Sequence, residues 1–153
     1  MEKILEQYGR VTVYMEANHP SPMYHVDGGV EPNPYGNLAV LLEDDNLEEV
    51  MYNGGAQCVK VAHRDHGMCR TNVWVDDQSG LEIAKNIAAF TSVPLGDGPG
   101  MVPIFDGRLP DGSRVNGTIP PVSPDGPTLT IRKFREDPLT MIDLIKFGTV
   151  NLR

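Results

Sequence analysis

Three arginines that flank and follow one short turn are the residues of this sequence best suited to bind an anion. Arg108 and Arg114 lie on either side of Pro110-Asp111-Gly112, and Arg132 follows on the next extended segment. A guanidinium group carries a fixed positive charge and a planar fork of N–H donors that matches the oxygens of a phosphate. The types and spacing of these residues therefore predict a site for a ligand that carries phosphate.

The turn also predicts how these residues face one another. Pro-Asp-Gly suits a three-residue hairpin loop, with Pro and Asp in a type I turn and Gly in the left-handed position. This register places Arg108 opposite Arg114 and brings Asp106 and Asn116 onto the same face. Because like charges across a ladder repel, we expect Asp106 to neutralise one arginine and an anionic ligand to engage the other. The alternative is a solvated polar face whose surface ion pairs contribute little to stability.

Composition limits the class of protein. The 153 residues are 40% apolar and 22% charged, which is typical of one globular domain. No apolar run approaches the ~20 residues that span a bilayer, and the N-terminus lacks the layout of a signal peptide, so we expect a cytoplasmic protein. The net charge of −8 argues against nucleic acid and anionic lipid as partners. Any membrane association is therefore expected to go through a protein partner.

The pattern of apolar residues and turn residues predicts an α+β fold, with a mainly antiparallel sheet and helices packed on one face. A helix is predicted over 77–91 and another over 141–147. Residues 37–50 favour one broken helix or two short ones, with Asn46 as an N-cap. Strands are predicted over 11–16, 23–26, 57–64, 68–75, 102–109, 113–119 and 127–134.

Cysteines and histidines on one predicted hairpin form the pattern C-x4-H-x2-H-x2-C, from Cys58 through His63 and His66 to Cys69. Structural zinc usually takes two closely spaced ligands from each of two elements, and strand alternation sends Cys58 to the face opposite His63. A nucleophilic cysteine would need a lowered thiol pKa. We therefore predict no metal site and no catalytic residue in this chain.

The segment 101–134, MVPIFDGRLPDGSRVNGTIPPVSPDGPTLTIRKF, resembles the N-terminal domain of the type II/type IV secretion ATPase superfamily. This superfamily includes the motors of Tad and type IV pili, of conjugation systems and of archaella. The closing DPLTMIDLIKFGTVN resembles the linker helix that leads to the ATPase core. LEEVMYNG and VKVAHRDHGMCRTNV resemble archaeal members in particular, whereas residues 1–35 carry no resemblance.

The resemblance implies a role for the arginines. Members of the superfamily are ring-forming hexamers that bind nucleotide between two domains, and arginines of the N-terminal sheet contact the γ-phosphate. The matching positions are Arg108 and Arg132, then Arg114, with Asp106 and Asn116 in support. The sequence departs from the family at Gly107, where alanine is usual, and we expect this glycine to loosen the strand slightly.

The chain contains no Gly-x-x-x-x-Gly-Lys-Ser/Thr loop to hold the β-phosphate and Mg²⁺. We therefore expect no ATP hydrolysis by this chain alone, and ATP and Mg²⁺ as cofactors of a full-length protein. The predicted division is an extension over 1–35, an α+β domain over 36–136 and a linker helix over 137–153.

The partners implied by the resemblance are the protein's own ATPase core, neighbouring subunits of a homohexamer and an integral-membrane platform protein. The last would place the domain at the inner face of the cell membrane. The alternative is a stand-alone interaction module of the same fold without nucleotide contact, and a more distant one is an adaptor stabilised by metal.

Overall fold

The computed structural model describes residues 2–29, 33–55, 57–134, 142 and 145. Nine strands lie within these ranges, together with a 3-10 helix at Gly36–Leu38, the short helix α1 at Ala39–Leu42 and the helix α2 at Asp77–Phe90. The strands are β1 (Lys3–Tyr8), β2 (Val11–Met15), β3 (Met23–Val26), β4 (Leu47–Tyr52), β5 (Cys58–His63), β6 (Gly67–Trp74), β7 (Ile104–Arg108), β8 (Arg114–Thr118) and β9 (Thr128–Arg132).

All nine strands belong to one sheet in the order β1-β2-β3-β6-β5-β4-β9-β8-β7. Every neighbouring pair is antiparallel except β3 and β6, which run parallel. The predicted α+β class with a mainly antiparallel sheet is confirmed.

The helix α2 packs against one face of this sheet through an apolar stripe that includes Ile83, Ala84, Ile87 and Ala88, all buried. A Cβ added at Gly80 would lie 2.5 Å from the ring of Tyr52, so the helix approaches β4 closely at that position. The arginines of β7, β8 and β9 must therefore lie on the opposite face, because side chains alternate along each strand.

The start of α2 follows the local chemistry of the sequence. Asp76 lies in an extended conformation before the helix, and its Oδ1 accepts a hydrogen bond of 3.0 Å from the Ser79 amide. This bond satisfies one of the free amides of the first turn, and the carboxylate also complements the positive end of the helix dipole. The predicted helix over 77–91 is confirmed to within one residue.

The second part of the helix predicted over 37–50 is wrong. Residues 36–42 are helical, but Leu47–Tyr52 form β4, which pairs with β5 on one side and β9 on the other. Asn46 caps no helix; its amide donates to Asp44 Oδ1 at 2.9 Å in a local turn that leads into the strand. Pairing on both edges overrides a local pattern that suits a helix start.

The N-terminal third contains a strand that the sequence did not predict. β1 pairs with β2, and β3 joins the same sheet through β6, so residues 3–26 extend the sheet. The domain boundary predicted at residue 35 stays a prediction. The linker helix predicted over 137–153 falls outside the described residues, apart from Ile142 and Ile145.

Candidate functional site: an arginine row on three strands

Arg108, Arg114 and Arg132 are direct neighbours across β7, β8 and β9. Arg108 pairs with Arg114, and Arg114 pairs with Arg132 on its other side. We call these three residues the arginine row. All three are exposed, and the next position along the row is Glu49 on β4, which pairs with Arg132. The predicted pairing of Arg108 with Arg114 is confirmed, and the register places Arg132 beside them.

The hairpin turn sets this register as the sequence predicts. The Leu109 amide donates to Ser113 O at 2.8 Å, and the Gly112 amide donates to Leu109 O at 2.9 Å. Gly112 has a φ of +87°, the left-handed conformation that glycine adopts at little cost. Asp111 stabilises the loop further by accepting from the Ser113 amide at 3.0 Å and from the Ser113 hydroxyl at 2.7 Å.

A buried layer on the other face of the three strands holds the row in place. Val115 and Ile131 lie behind the arginines, and Phe105 and Leu129 lie behind the next row; all four are buried in the core. A Cβ at Gly117 would lie 2.3 Å from the Phe105 ring, which explains why that strand position is a glycine. Rigid backing of this kind keeps the backbone positions of the arginines fixed relative to one another.

The guanidinium groups of the arginine row form no hydrogen bond or ion pair with any of the described residues. Other arginines of the chain are paired: Arg10 with Glu43, and Arg70 with Glu16. With strands about 4.8 Å apart, neighbouring charges repel by roughly 1 kcal/mol in water. Among the described residues, the row is therefore a positive strip that no carboxylate neutralises, on a chain whose net charge is −8.

The predicted supporting residues occupy the adjacent row on the same face. Asp106 pairs with Asn116, and Asn116 pairs with Thr130. Asn116 Nδ2 donates to Phe105 O at 3.3 Å, so this amide binds the hairpin backbone. Asp106 is exposed and takes part in none of the ion pairs among the described residues. The expected neutralisation of an arginine by Asp106 is not seen, because its short side chain stands one row away.

A second polar cluster, which the sequence did not predict, lies on the core side. Asp44 Oδ2 accepts hydrogen bonds from Tyr24 at 2.6 Å and from Tyr8 at 2.7 Å, and the Tyr8 hydroxyl lies 3.1 Å from His63 Nε2. Burial raises the pKa of Asp44, but the hydrogen bonds from Tyr24, the Asn46 amide and Tyr8 outweigh it, so the pKa is lowered. Burial, and then the Asp44 carboxylate, raise the pKa of both tyrosines. The four side chains have no common sequence spacing, so no local signal reveals them.

The cysteines do not join the histidines in a metal site. Cys58 points away from Val59, Val61 and His63, which are buried, as the alternation predicts. Burial raises the pKa of the Cys69 thiol to about 11, and its Sγ donates to Gly67 O at 3.5 Å. A thiol with a raised pKa is a poor nucleophile at neutral pH. The structure therefore disfavours a catalytic role for Cys69.

Comparison with known proteins shows which of them this chain resembles. The chain is similar in structure to the VirB11 ATPase from the Brucella suis type IV secretion system, crystallised in complex with sulphate, with a TM-score of 0.59 and 22% sequence identity. The alignment covers 74% of this chain and 33% of that one. This likeness shows a shared fold.

No protein-family model matches the sequence. The chain is 49% identical over 117 residues to an uncharacterised protein of Methanocaldococcus jannaschii, and 40% identical over 116 residues to a second one. It spans 16% and 20% of the length of these two relatives.

Within the described residues, no helix has both the length and the apolar character that a membrane span needs.

Proposed function

We propose that this chain is the N-terminal domain of a secretion-type ATPase, of the kind that drives secretion, pilus or archaellum assembly. In this proposal, the arginine row contacts the phosphates of ATP held by an ATPase core elsewhere in the full-length protein. The observation that carries the proposal is the alignment, in one register on three backed strands, of three exposed arginines that form an ion pair with no described residue. The shared fold with the VirB11 ATPase, whose structure contains the oxyanion sulphate, supports it.

The charge of the row favours a polyvalent anion as its ligand. Three adjacent guanidinium groups raise one another's electrostatic energy, and an anion that bridges them removes that repulsion. A triphosphate carries several negative charges, and its non-bridging oxygens match the guanidinium fork. A protein carboxylate, by contrast, matches one arginine at a time. The row is therefore better suited to a triphosphate than to a single acidic side chain.

The chemistry assigned to the row is stabilisation of charge. During phosphoryl transfer, negative charge spreads over the equatorial oxygens of the γ-phosphate, and fixed positive groups lower the energy of that state. This chain contains no phosphate-binding loop, so the core must hold the β-phosphate and Mg²⁺. In the same proposal, the domain contributes to a homohexamer and docks the ring, on its cytoplasmic side, to an integral-membrane platform protein. Those partners follow from the family resemblance and not from the geometry of the row.

The test is the ATPase rate of the full-length protein that contains this domain and its core. Arg108→Ala and Arg132→Ala are each expected to lower kcat by roughly 10²–10³-fold, as expected for loss of one group that stabilises the transition state. Arg108→Lys keeps the charge but loses the bidentate fork, so we expect it to recover only part of the rate. Arg10→Ala, which removes an exposed arginine paired with Glu43, is the matched control and should leave kcat unchanged.

Unchanged rates in Arg108→Ala, Arg114→Ala and Arg132→Ala would contradict the proposal. That result would favour the alternative, an interaction module of this fold that has no contact with nucleotide.

A further inference from the structure

Glu6, His63 and His66 bring three potential metal ligands together outside the arginine row. Glu6 lies on β1, His63 ends β5, and His66 lies in the turn between β5 and β6. Glu6 Oε2 is 2.8 Å from His66 Nε2 and 3.8 Å from His63 Nε2, and the three ligand atoms lie within 4.8 Å of one another. The two imidazole rings are 4.7 Å apart and tilted by 32°.

An ion pair between His66 and Glu6 explains only part of this arrangement. It accounts for the contact of 2.8 Å, but the Nε2 atom of His63 also faces the same carboxylate oxygen. Two protonated imidazoles at this separation would repel each other. Neutral imidazole is the form that binds a metal ion.

We propose that Glu6, His63 and His66 bind a Zn²⁺ ion in a tetrahedral site whose fourth position is filled by water. Zinc lies about 2.0–2.2 Å from imidazole nitrogen and carboxylate oxygen, which places tetrahedral ligands roughly 3.3–3.6 Å apart. The separation of 3.8 Å lies close to this range, and that of 2.8 Å lies about 0.5 Å below it, so Glu6 and His66 would move slightly apart around the ion. Two imidazoles in the set favour zinc over Mg²⁺ or Ca²⁺, which prefer oxygen ligands.

Binding requires one proton of His63 to change position. In the structure, the Asp65 amide donates to His63 Nδ1 at 3.2 Å, which leaves the proton on Nε2, beside the Tyr8 hydroxyl. Coordination through Nε2 moves that proton to Nδ1, and the Asp65 amide then loses its acceptor. Asp65 is exposed, so a water molecule can accept the hydrogen bond of its amide in place of His63 Nδ1. The Tyr8 hydroxyl keeps its hydrogen bond to Asp44.

The ion would join parts of the chain that are far apart in the sheet. β1 is separated from β5 by three intervening strands, so a shared ion would tie the N-terminal hairpin to the hairpin of β5 and β6. The side chains of Glu6 and His66 are 38% and 18% exposed, whereas that of His63 is fully buried. The ion therefore has a route from solvent past Glu6 and His66, and the site would stabilise the fold.

The experiment is isothermal titration of untagged, metal-free protein with ZnSO₄, together with Co²⁺ absorption to report tetrahedral geometry. We expect one saturable site in the wild type, and a loss of affinity of at least about 10-fold in Glu6→Gln and in His66→Gln. Both changes are at partly exposed positions and should leave the metal-free fold intact, which circular dichroism checks. Zinc should also raise the melting temperature of the wild type, because it binds only the folded state.

His25→Gln is the matched control, since His25 also pairs with a carboxylate, that of Asp27, but lies outside the cluster. It should bind zinc as the wild type does, and so should Cys58→Ser. The proposal fails if the wild type shows no saturable binding, or if Glu6→Gln and His66→Gln keep wild-type affinity. It also fails if His25→Gln or Cys58→Ser loses as much affinity as they do. None of these outcomes bears on the ATPase test, so the two proposals stand or fall separately.

Discussion

The carboxylate of Asp44 connects side chains from three separate parts of the chain. Its Oδ2 accepts hydrogen bonds from Tyr8 on β1 and Tyr24 on β3, while its Oδ1 accepts from the Asn46 amide. An asparagine at this position has only one oxygen, so its NH₂ group would face either the tyrosine hydroxyls or the backbone amide. One buried donor would then lose its acceptor, which costs about 1–3 kcal/mol.

We therefore predict that Asp44→Asn lowers the free energy of unfolding by about 1–3 kcal/mol at pH 7. Because the pKa of Asp44 is lowered in the folded state, its contribution is fully present above the unfolded pKa of about 4. It is lost as the pH falls from there through the folded value, so between pH 5 and pH 3 the difference from wild type should hold down to about pH 4 and narrow below it. Urea denaturation across this range measures it.

Asp45→Asn is the control for this prediction, because the Asp45 side chain is 93% exposed and lies 3.9 Å from Lys133 Nζ. It should change stability little. A difference between wild type and Asp44→Asn that stays constant down to pH 3 would contradict the role assigned to the carboxylate.

At the residue scale, the sequence predicts local geometry well and long-range clusters poorly. The Pro-Asp-Gly turn fixes which residues face each other over a few positions, so the pairing of Arg108 with Arg114 follows from its chemistry. Glu6 and His66 meet only because the sheet brings β1 close to the turn after β5. Nothing in the spacing of 60 residues between them encodes that contact.

Gly107 determines how closely β7 approaches the end of α2. A Cβ at this position would lie 2.2 Å from Thr91 Cγ2 and 2.7 Å from Thr91 Cβ. The family resemblance suggests that alanine fits here and that glycine merely loosens the strand; the structure shows that glycine is required for this packing. The contact involves the Cβ of Thr91, so rotation of that side chain cannot relieve it.

We predict that Gly107→Ala lowers the free energy of unfolding by about 1–3 kcal/mol, as overpacking of a close, partly buried contact does. Chemical denaturation measures this change. Gly29→Ala is the matched control, because an added Cβ there meets no atom within 4 Å. Equal stability of the two variants would show that β7 and α2 can separate without cost. Gly107→Ala should also disturb the alignment of Arg108 with the rest of the arginine row, since Arg108 is the next residue on the strand.

At the element scale, there is a physical reason why the helix predicted over residues 46–50 is a strand. Leu47 and Val50 are buried and three residues apart, a spacing that fits one face of a helix as well as a strand that contains a bulge. The choice is made by the neighbours: β5 and β9 each offer a full ladder of hydrogen bonds. Hairpins and capped helices are set by nearby residues, so they were predictable, whereas a strand paired to β9 from about 80 residues away was not.

At the scale of the whole molecule, the sheet divides into two parts around one parallel pairing. β4 to β9 form the part that carries the arginine row, and β1 to β3 join the sheet through the pairing of β3 with β6 at Met23–Arg70 and Tyr24–Thr71. Parallel pairs require a long connection, so no hairpin signal predicts this one.

The packing of β2 and β3 argues that residues 36–153 alone do not form a stable domain. Val11, Val13, Tyr24 and Val26 are buried in the same core as the rest of the chain, and the three valines alone contribute roughly 5–9 kcal/mol by burial. That is as large as the whole stability of many domains. Removing residues 1–35 would also uncover the edge of β6, which invites association between chains.

We predict that a chain truncated to residues 36–153 loses cooperative thermal unfolding or self-associates, as circular dichroism and size-exclusion chromatography would show. The matched comparison is a chain that starts at Met23, which keeps β3 on the edge of β6 but lacks β1 and β2. It should recover part of the stability and remain monomeric. A cooperative transition for residues 36–153 at the melting temperature of residues 1–153 would instead support the boundary that the sequence predicts near residue 35. The arginine row would then belong to a domain that folds without its N-terminal strands.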